Sequence, residues 1–345
     1  MVHFEELDRI RQLAETFARA TGSGLPALRC ESLGEIRHGK ETYPIFSFCL
    51  GNPSPDAPVL GVFGGVHGLE RIGTQVVTSY LEGLMERLSW DQSLQWQLEK
   101  MRLISVPLIN PVGMHLSRRA NGNHVDLMRN SPVQADRATP FVGGQRLSPL
   151  LPWYRGPGLQ MEFEAQALCD FIERQTPNSA ASLLIDVHSG FGWVDQLWFP
   201  YARSLAPFPD LPEVYALKGL LDQAHPNHIY VFEPQAKNYT THGDLWDYLY
   251  DRHRAGQAPC EKIQIPLTLE LGSWLWVKKN PRQVFSALGA FNPIKPHRQK
   301  RVLRRHVVLL DFLMRATLSH EPWSRLDAST RTGLQAQASA LWYAG

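Results

Sequence analysis

The chain has 345 residues, 43% of them hydrophobic and 20% charged, a balance that supports a packed core and excludes a disordered or fibrous polypeptide. Its 35 basic and 33 acidic side chains leave a formal charge of +2, too near neutrality for nucleic acid or an anionic membrane to be expected as the main partner. No apolar run approaches the roughly 18 to 20 residues that a membrane span requires.

At the amino terminus, Phe4, Leu7, Ile10, Leu13 and Phe17 recur at helical spacing among acidic residues. A secretory signal would need an unbroken apolar stretch there, so residues 1–22 read as a surface helix of a cytoplasmic protein. Short apolar or β-branched runs then predict strands at 43–50, 59–66, 101–108, 182–187, 196–200, 228–232 and 265–271. Helical spacing predicts helices between them at 72–88, 162–175, 211–224, 244–252 and 299–318. Gly and Pro are scattered as turn punctuation and form no linker. The chain therefore reads as one domain, with a catalytic core at 23–320 and a C-terminal extension at 321–345. Cys30, Cys49, Cys169 and Cys260 are far apart and make no C-x-x-C pair, which argues against a disulfide framework and for a reducing compartment.

Runs such as VLGVFGGV and SLLIDV are apolar throughout, as strands buried on both faces are, so the fold class is α/β with a helix-covered, mostly parallel or mixed sheet. Ligands of such sheets bind beyond the carboxyl ends of the strands. The polar residues at those ends are His67 and Glu70, Asn110, His188 and Glu270. Two imidazoles and a carboxylate are the donors that a catalytic zinc ion takes, and a further carboxylate must stay free to accept a proton from water. A His-x-x-Glu pair is common by chance, but a third ligand roughly a hundred residues later is a usual layout for catalytic zinc. Asp186, two residues before His188, either orients that imidazole or caps a loop.

The segment INPVGMHLSRRANGNHVDLMRN resembles, together with these residues, the zinc carboxypeptidase superfamily: the carboxypeptidase A-like enzymes, their cytosolic bacterial branch, and the related succinylglutamate desuccinylase and aspartoacylase amidohydrolases. The family's H-x-x-E motif matches His67 and Glu70, and its N-P-x-G turn matches Asn110, Pro111 and Gly113. The V-D-L-N-R-N element matches Val125, Asp126, Leu127, Arg129 and Asn130; D-x-H-S matches Asp186, His188 and Ser189; and the last glutamate lies in a strand end matching Thr268, Glu270 and Gly272. The motifs occur in the family's order across residues 67 to 270.

The resemblance implies a single domain with a mixed, largely parallel central sheet covered by helices on both faces. It implies one Zn2+ per chain on His67, Glu70 and His188, with Glu270 as the base. Arg119 becomes the group that polarises the scissile carbonyl, Arg129 the anchor for a substrate carboxylate with Asn130 beside it, and Tyr239 a substrate-facing loop tyrosine, with Tyr248 close behind. Both tyrosines could equally pack around Trp246, and His242 in the same loop reads as a lone loop histidine that does not touch substrate. The implied substrate is a peptide or an N-acyl amino acid with a free carboxylate.

One departure stands out: Met128 occupies the place where the family usually has asparagine, and a thioether donates no hydrogen bond. Arg129 keeps a bidentate fork for a carboxylate with one anchor fewer. Alternatively, Met128 widens an apolar pocket for an N-acyl or otherwise unusual substrate.

Other signals are weaker. No G-x-S-x-G pentad suggests a serine hydrolase. GEIRHGKE at 34–41 comes near a phosphate-binding loop but has Glu41 where Ser or Thr must stand, and reads as a hairpin turn. KPHRQKRVLRRH at 295–306 is basic, yet its apolar positions suit a helix with arginines on its solvated face. Trp274 and Trp276 read as packing residues. Two function classes follow: a zinc-dependent hydrolase of C-terminal peptide bonds or N-acyl amino acids, and a non-catalytic descendant that keeps the cleft as a binding module.

Overall fold

The computed structural model describes residues 2–20, 27–190, 192–255 and 262–344; Cys260 lies outside them. Eight strands form one sheet: β1 (Leu28–His38), β2 (Glu41–Gly51), β3 (Val59–Gly64), β4 (Arg102–Val106), β5 (Ala181–Gly190), β6 (Gln196–Phe199), β7 (Val231–Pro234) and β8 (Ile263–Gly272). Their order is β1-β2-β4-β3-β5-β8-β6-β7. The inner strands β4, β3, β5 and β8 are mutually parallel, while β2 on β4 and β6 on β8 run antiparallel. The sheet is thus mixed and largely parallel at its centre, as the sequence suggests.

Around it lie α1 (Glu5–Ala20), α2 (Arg71–Arg87), α3 (Gln92–Lys100), α4 (Pro111–His115), α5 (Phe163–Gln175), α6 (Leu211–Ala224), α7 (Leu245–Arg254), α8 (Trp274–Lys279), α9 (Ala287–Phe291), α10 (Pro296–Leu318), α11 (Glu321–Ser324) and α12 (Ala328–Trp342). Because side chains alternate along a strand, the two faces of β5 enter different cores. Leu183, Ile185 and Val187 pack with residues of α1, α2 and α10, whereas Leu184 packs with α5 and α7. At about 25 cal/mol per Å2, a fully buried leucine or isoleucine contributes roughly 1.5 to 3 kcal/mol, so this two-sided burial is what holds the strand ends rigid.

The predicted strands fall on observed ones, with β5 running three residues further, through His188 to Gly190, and β7 starting at Val231 instead of His228. Strand β1 has no counterpart among the predicted runs. It is an edge strand with the sequence LRCESLGEIRH, half-exposed along most of its length, and polar edges of this kind carry no apolar run. The 34–41 segment is the β1–β2 hairpin: His38 pairs with Glu41 across Gly39 and Lys40, and Gly39 has φ +61°, a conformation that suits glycine. Residues 321–344 are packed structure: Trp323 and Trp342 are buried in the core, and α12 lies against α6. In α10 Val302, Leu309 and Leu310 are buried while Arg301 and Arg304 face solvent.

Candidate active site

The parallel register sets the site. Phe63 of β3 pairs with Asp186, and His188 of β5 pairs with Glu270 of β8. The turn after β3 then carries His67 and Glu70 to the same edge. It fits there because residue 68 is glycine: a Cβ at Gly68 would sit 2.0 Å from the backbone of Gly113. At Gly73, a Cβ would lie 2.2 Å from the carbonyl oxygen of Val187, so the start of α2 meets the end of β5 directly.

His67, Glu70 and His188 each offer a ligand atom, and these atoms all lie within 4.8 Å of one another. All three side chains are buried. His188 Nδ1 is 3.2 Å from Glu70 Oε2, and its Nε2 is 2.7 Å from Asp186 Oδ2. Trp246 Nε1 donates to that same Asp186 oxygen at 3.2 Å. Asp186 therefore orients the His188 ring, and its carboxylate faces α7 instead of capping a loop. Neither ring nitrogen of His67 has a hydrogen-bond partner among the described residues, and its Nδ1 is fully buried at 3.8 Å from Asp126 Oδ1. A buried imidazole left unpartnered beside a carboxylate and a second imidazole fits a divalent metal ion, since isolated polar atoms are otherwise costly to bury. The His2Glu donor set is that of catalytic zinc sites.

The electrostatics at His67 fit a metal ligand. Burial, then Arg119, hold His67 well below the ordinary histidine range, the neutral form a metal requires. Burial would lift Glu70, but His67, His188 and Arg119 keep it below the ordinary carboxylate range. Burial would also lower His188, and the Asp186 and Glu70 carboxylates raise it well above its usual value. Glu270 is not an ion-pair partner of any described residue and is pushed up to about 7, by burial and by the Glu70 charge, against the opposing pull of His188 and Arg119.

The arginines come from a loop stitched to itself. Asp126 Oδ2 accepts from Arg119 Nε at 2.9 Å and lies 3.5 Å from Arg129 Nη1, while Arg119 Nη1 reaches Glu70 Oε1 at 3.2 Å. Arg129 Nε donates to the carbonyl of Val142, and Arg155 Nε donates to the carbonyl of Arg129. The Arg129 guanidinium carbon lies 5.8 Å from the ring centre of Tyr239.

A cleft of about 410 Å3 is lined by His67, Glu70, Arg119, Met128, Arg129, His188, Tyr239 and Glu270, among others. The sequence-predicted residues thus converge, with the exception of Asn130 and of Tyr248, the second tyrosine considered. Asn130 is fully buried and absent from the cleft lining: its amide donates to the carbonyl of Arg155 and accepts from the amide of Glu162, so it braces the loop. Tyr248 also lies away from the cleft, against Arg252, and His242 Nδ1 accepts from the amide of Ala135. Asp126, the shared acceptor of both arginines, is a motif residue to which the sequence alone assigns no role. Asp244 and Trp198, which also line the cleft, carry no signal in the sequence beyond an aspartate ahead of a helix and an apolar strand.

A family model described as "Zinc carboxypeptidase" matches residues 33–273. The chain belongs to the zinc carboxypeptidase family. It is similar to Carboxypeptidase SOL1 of Arabidopsis thaliana, 31% identical over 77 residues that make up 22% of this chain and 16% of that protein. It is also similar to Carboxypeptidase D of Drosophila melanogaster, 27% identical over 131 residues, 35% of this chain and 9% of that protein. The matches thus span a small part of these much longer curated relatives. Among solved structures, thrombin activatable fibrinolysis inhibitor shares the fold at TM-score 0.67 and 17% identity, covering 92% of this chain and 75% of that one. Carboxypeptidase A from Helicoverpa armigera does so at TM-score 0.54 and 17% identity, covering 87% and 71%.

Proposed function

We propose that this zinc carboxypeptidase family member hydrolyses the amide bond next to a free carboxylate, releasing C-terminal residues from peptides, with one zinc ion held by His67, Glu70 and His188. The observation that carries the reading is the meeting of those three donors within 4.8 Å while the β5–β8 register sets Glu270 beside His188. A zinc ion there supplies Lewis acidity, acidifying water and polarising a carbonyl.

The chain's own groups supply the remainder. Glu270, lifted to about 7 by burial, is poised near neutrality to take a proton from water and return it to the leaving amine. Arg119, fixed by Asp126 and Glu70, presents a guanidinium to the negative charge that develops on the carbonyl oxygen. Arg129, braced by Val142 and Asp126, receives the substrate carboxylate and so selects which bond lies over the metal. Asp186 and Trp246 keep the His188 ring in one orientation. The free thiols Cys30, Cys49 and Cys169 suit a reducing, cytoplasmic setting, which belongs to the same proposal.

The test is turnover by the zinc-loaded protein on an N-blocked dipeptide, its C-terminal amide and an N-acetyl amino acid. Cleavage of the dipeptide, at a rate at least about tenfold above that of its amide, supports the proposal. Equal rates on acid and amide remove the carboxylate anchor. Preference for the N-acetyl amino acid replaces peptidase by deacylase, and no turnover on any of the three leaves the binding-module reading.

A further inference from the structure

The formal charge of +2 hides an uneven distribution. Between Glu270 and Asp311 the chain carries nine lysines and arginines and no aspartate or glutamate, although the whole sequence has 33 acidic residues in 345. The remainder of the chain is net acidic. The fold gathers the cations onto one face. Lys278 and Lys279 end α8, Arg282 lies in the turn after it, and Lys300, Arg301 and Arg304 occupy the side of α10 opposite the buried Val302, Leu309 and Leu310. Arg298 joins the two segments, donating to the carbonyls of Trp276 at 3.1 Å and Lys279 at 3.4 Å. Of the basic side chains of α10, Arg305 and His306 pair with Asp195. The six named cations of α8, the turn and α10 are exposed, and none is in an ion pair among the described residues.

Large apolar side chains project from the same segments. Phe285 is 91% exposed, Ile294 52% and Val308, one turn beyond Arg304, 50%. The turn that carries Phe285 is held by Gln283, whose buried amide donates to the Gly289 carbonyl at 2.8 Å. Exposed aromatic and aliphatic tips beside clustered cations suit a boundary where one layer is anionic and the next apolar. A nucleic acid or a purely acidic polypeptide would pair with the cations and leave Phe285 and Ile294 in water, whereas a bilayer takes both. The face also borders the cleft. Phe291 lines the cavity, and the Asn292 side chain accepts from the Ile72 amide at 2.9 Å and donates to the Leu69 carbonyl at 2.8 Å, beside the turn that carries His67 and Glu70.

We propose that this face, made of α8, the turn after it and the first half of α10, docks the chain on an anionic phospholipid surface. The cations then lie against lipid phosphates, and Phe285 and Ile294 sit at the boundary between headgroups and acyl chains. The cytoplasmic leaflet is an anionic one, in keeping with the setting proposed above. The inference is independent of the peptidase reading, because binding is read without turnover.

Sedimentation of the full chain with vesicles tests it, comparing pure phosphatidylcholine with equal parts of phosphatidylcholine and phosphatidylglycerol at about 0.1 M salt. The partition coefficient is expected to be at least about tenfold higher on the anionic vesicles and to fall as salt rises. Lys300→Glu, Arg301→Glu and Arg304→Glu together should lower it at least about tenfold, and Phe285→Ser about three- to tenfold at unchanged charge. The same reversal at the exposed Arg37, Lys40 and Lys100, on the β1–β2 hairpin and α3, should change it by less than about twofold. Zinc content and circular dichroism report folding; if the α10 variant does not fold, the vesicle comparison and Phe285→Ser decide alone. Equal partition on the two vesicles, or equal loss in the two triple variants, overturns the inference. So does binding that Phe285→Ser leaves unchanged while soluble polyglutamate competes for the face, which makes the occupant an acidic polypeptide.

Discussion

On one side of the site, His67, His188 and Glu270 follow or end strands β3, β5 and β8, in a sheet packed on both faces. On the other, Arg119, Arg129, Tyr239 and Asp244 belong to loops and helix starts whose positions depend on individual hydrogen bonds, such as Arg155 to the Arg129 carbonyl and Ser131 to the Gly243 carbonyl. The difference assigns labour. On the proposed reading, groups that meet one ion to within a fraction of an ångström are placed by register, while groups that meet variable substrates are placed by braces that can differ without unfolding the sheet.

Variants at the strand ends should therefore act on metal and chemistry, and variants in the braced loop on recognition. The largest effect is expected for His188→Ala, which removes one of three ligands: zinc content should fall from one per chain to near zero and turnover with it. Retention of stoichiometric zinc would break the ligand assignment. Glu270→Gln should keep the zinc and lose about 10² to 10⁴ in kcat; near wild-type hydrolysis would mean that another group moves the proton. Arg129→Gln should leave zinc in place, raise KM by about 10- to 100-fold and erase the distinction between a peptide and its C-terminal amide. A fall in kcat alone would move Arg129 from recognition to chemistry.

The smallest effect lies outside the site. Glu164, buried at the start of α5 beside Glu162 and Asn121, is pushed up to about 7, chiefly by burial. Its ordinary value is 4.5, so the folded chain holds a proton that the unfolded one releases, and stability falls as pH rises from 4.5 to 7. Glu164→Gln should add about 1 to 3 kcal/mol at pH 8 and almost nothing at pH 4.5 in chemical unfolding. A pH-independent difference would show that packing, not charge, sets the effect.

The same division governs what could be read from the sequence. Strands buried on both faces announce themselves as apolar runs, and their polar terminators, His67, His188 and Glu270, were legible for that reason. The H-x-x-E and D-x-H-S spacings, ordered along the chain as in the zinc carboxypeptidases, are what single out His67, Glu70 and His188 as the proposed ligand set. Strand β1 was silent because an exposed edge has no apolar run. Asn130 sits in the matched motif but points into the loop, where its amide bonds two backbone groups, and a motif letter does not tell a bracing side chain from a binding one. The place of Asp244 in the cleft lining was invisible because a helix cap and a cleft carboxylate look the same in sequence. Likewise, only the structure separates Tyr239, over Arg129, from Tyr248, against Arg252.

The central claim is that one cation is shared by His67, Glu70 and His188. Anomalous diffraction at the zinc edge from crystals of the full chain tests it most directly. The account predicts a single strong peak per chain, roughly 2.0 to 2.2 Å from one nitrogen of each histidine and one oxygen of Glu70, with Glu270 near but unligated. A peak elsewhere, or none in zinc-saturated protein, would contradict it.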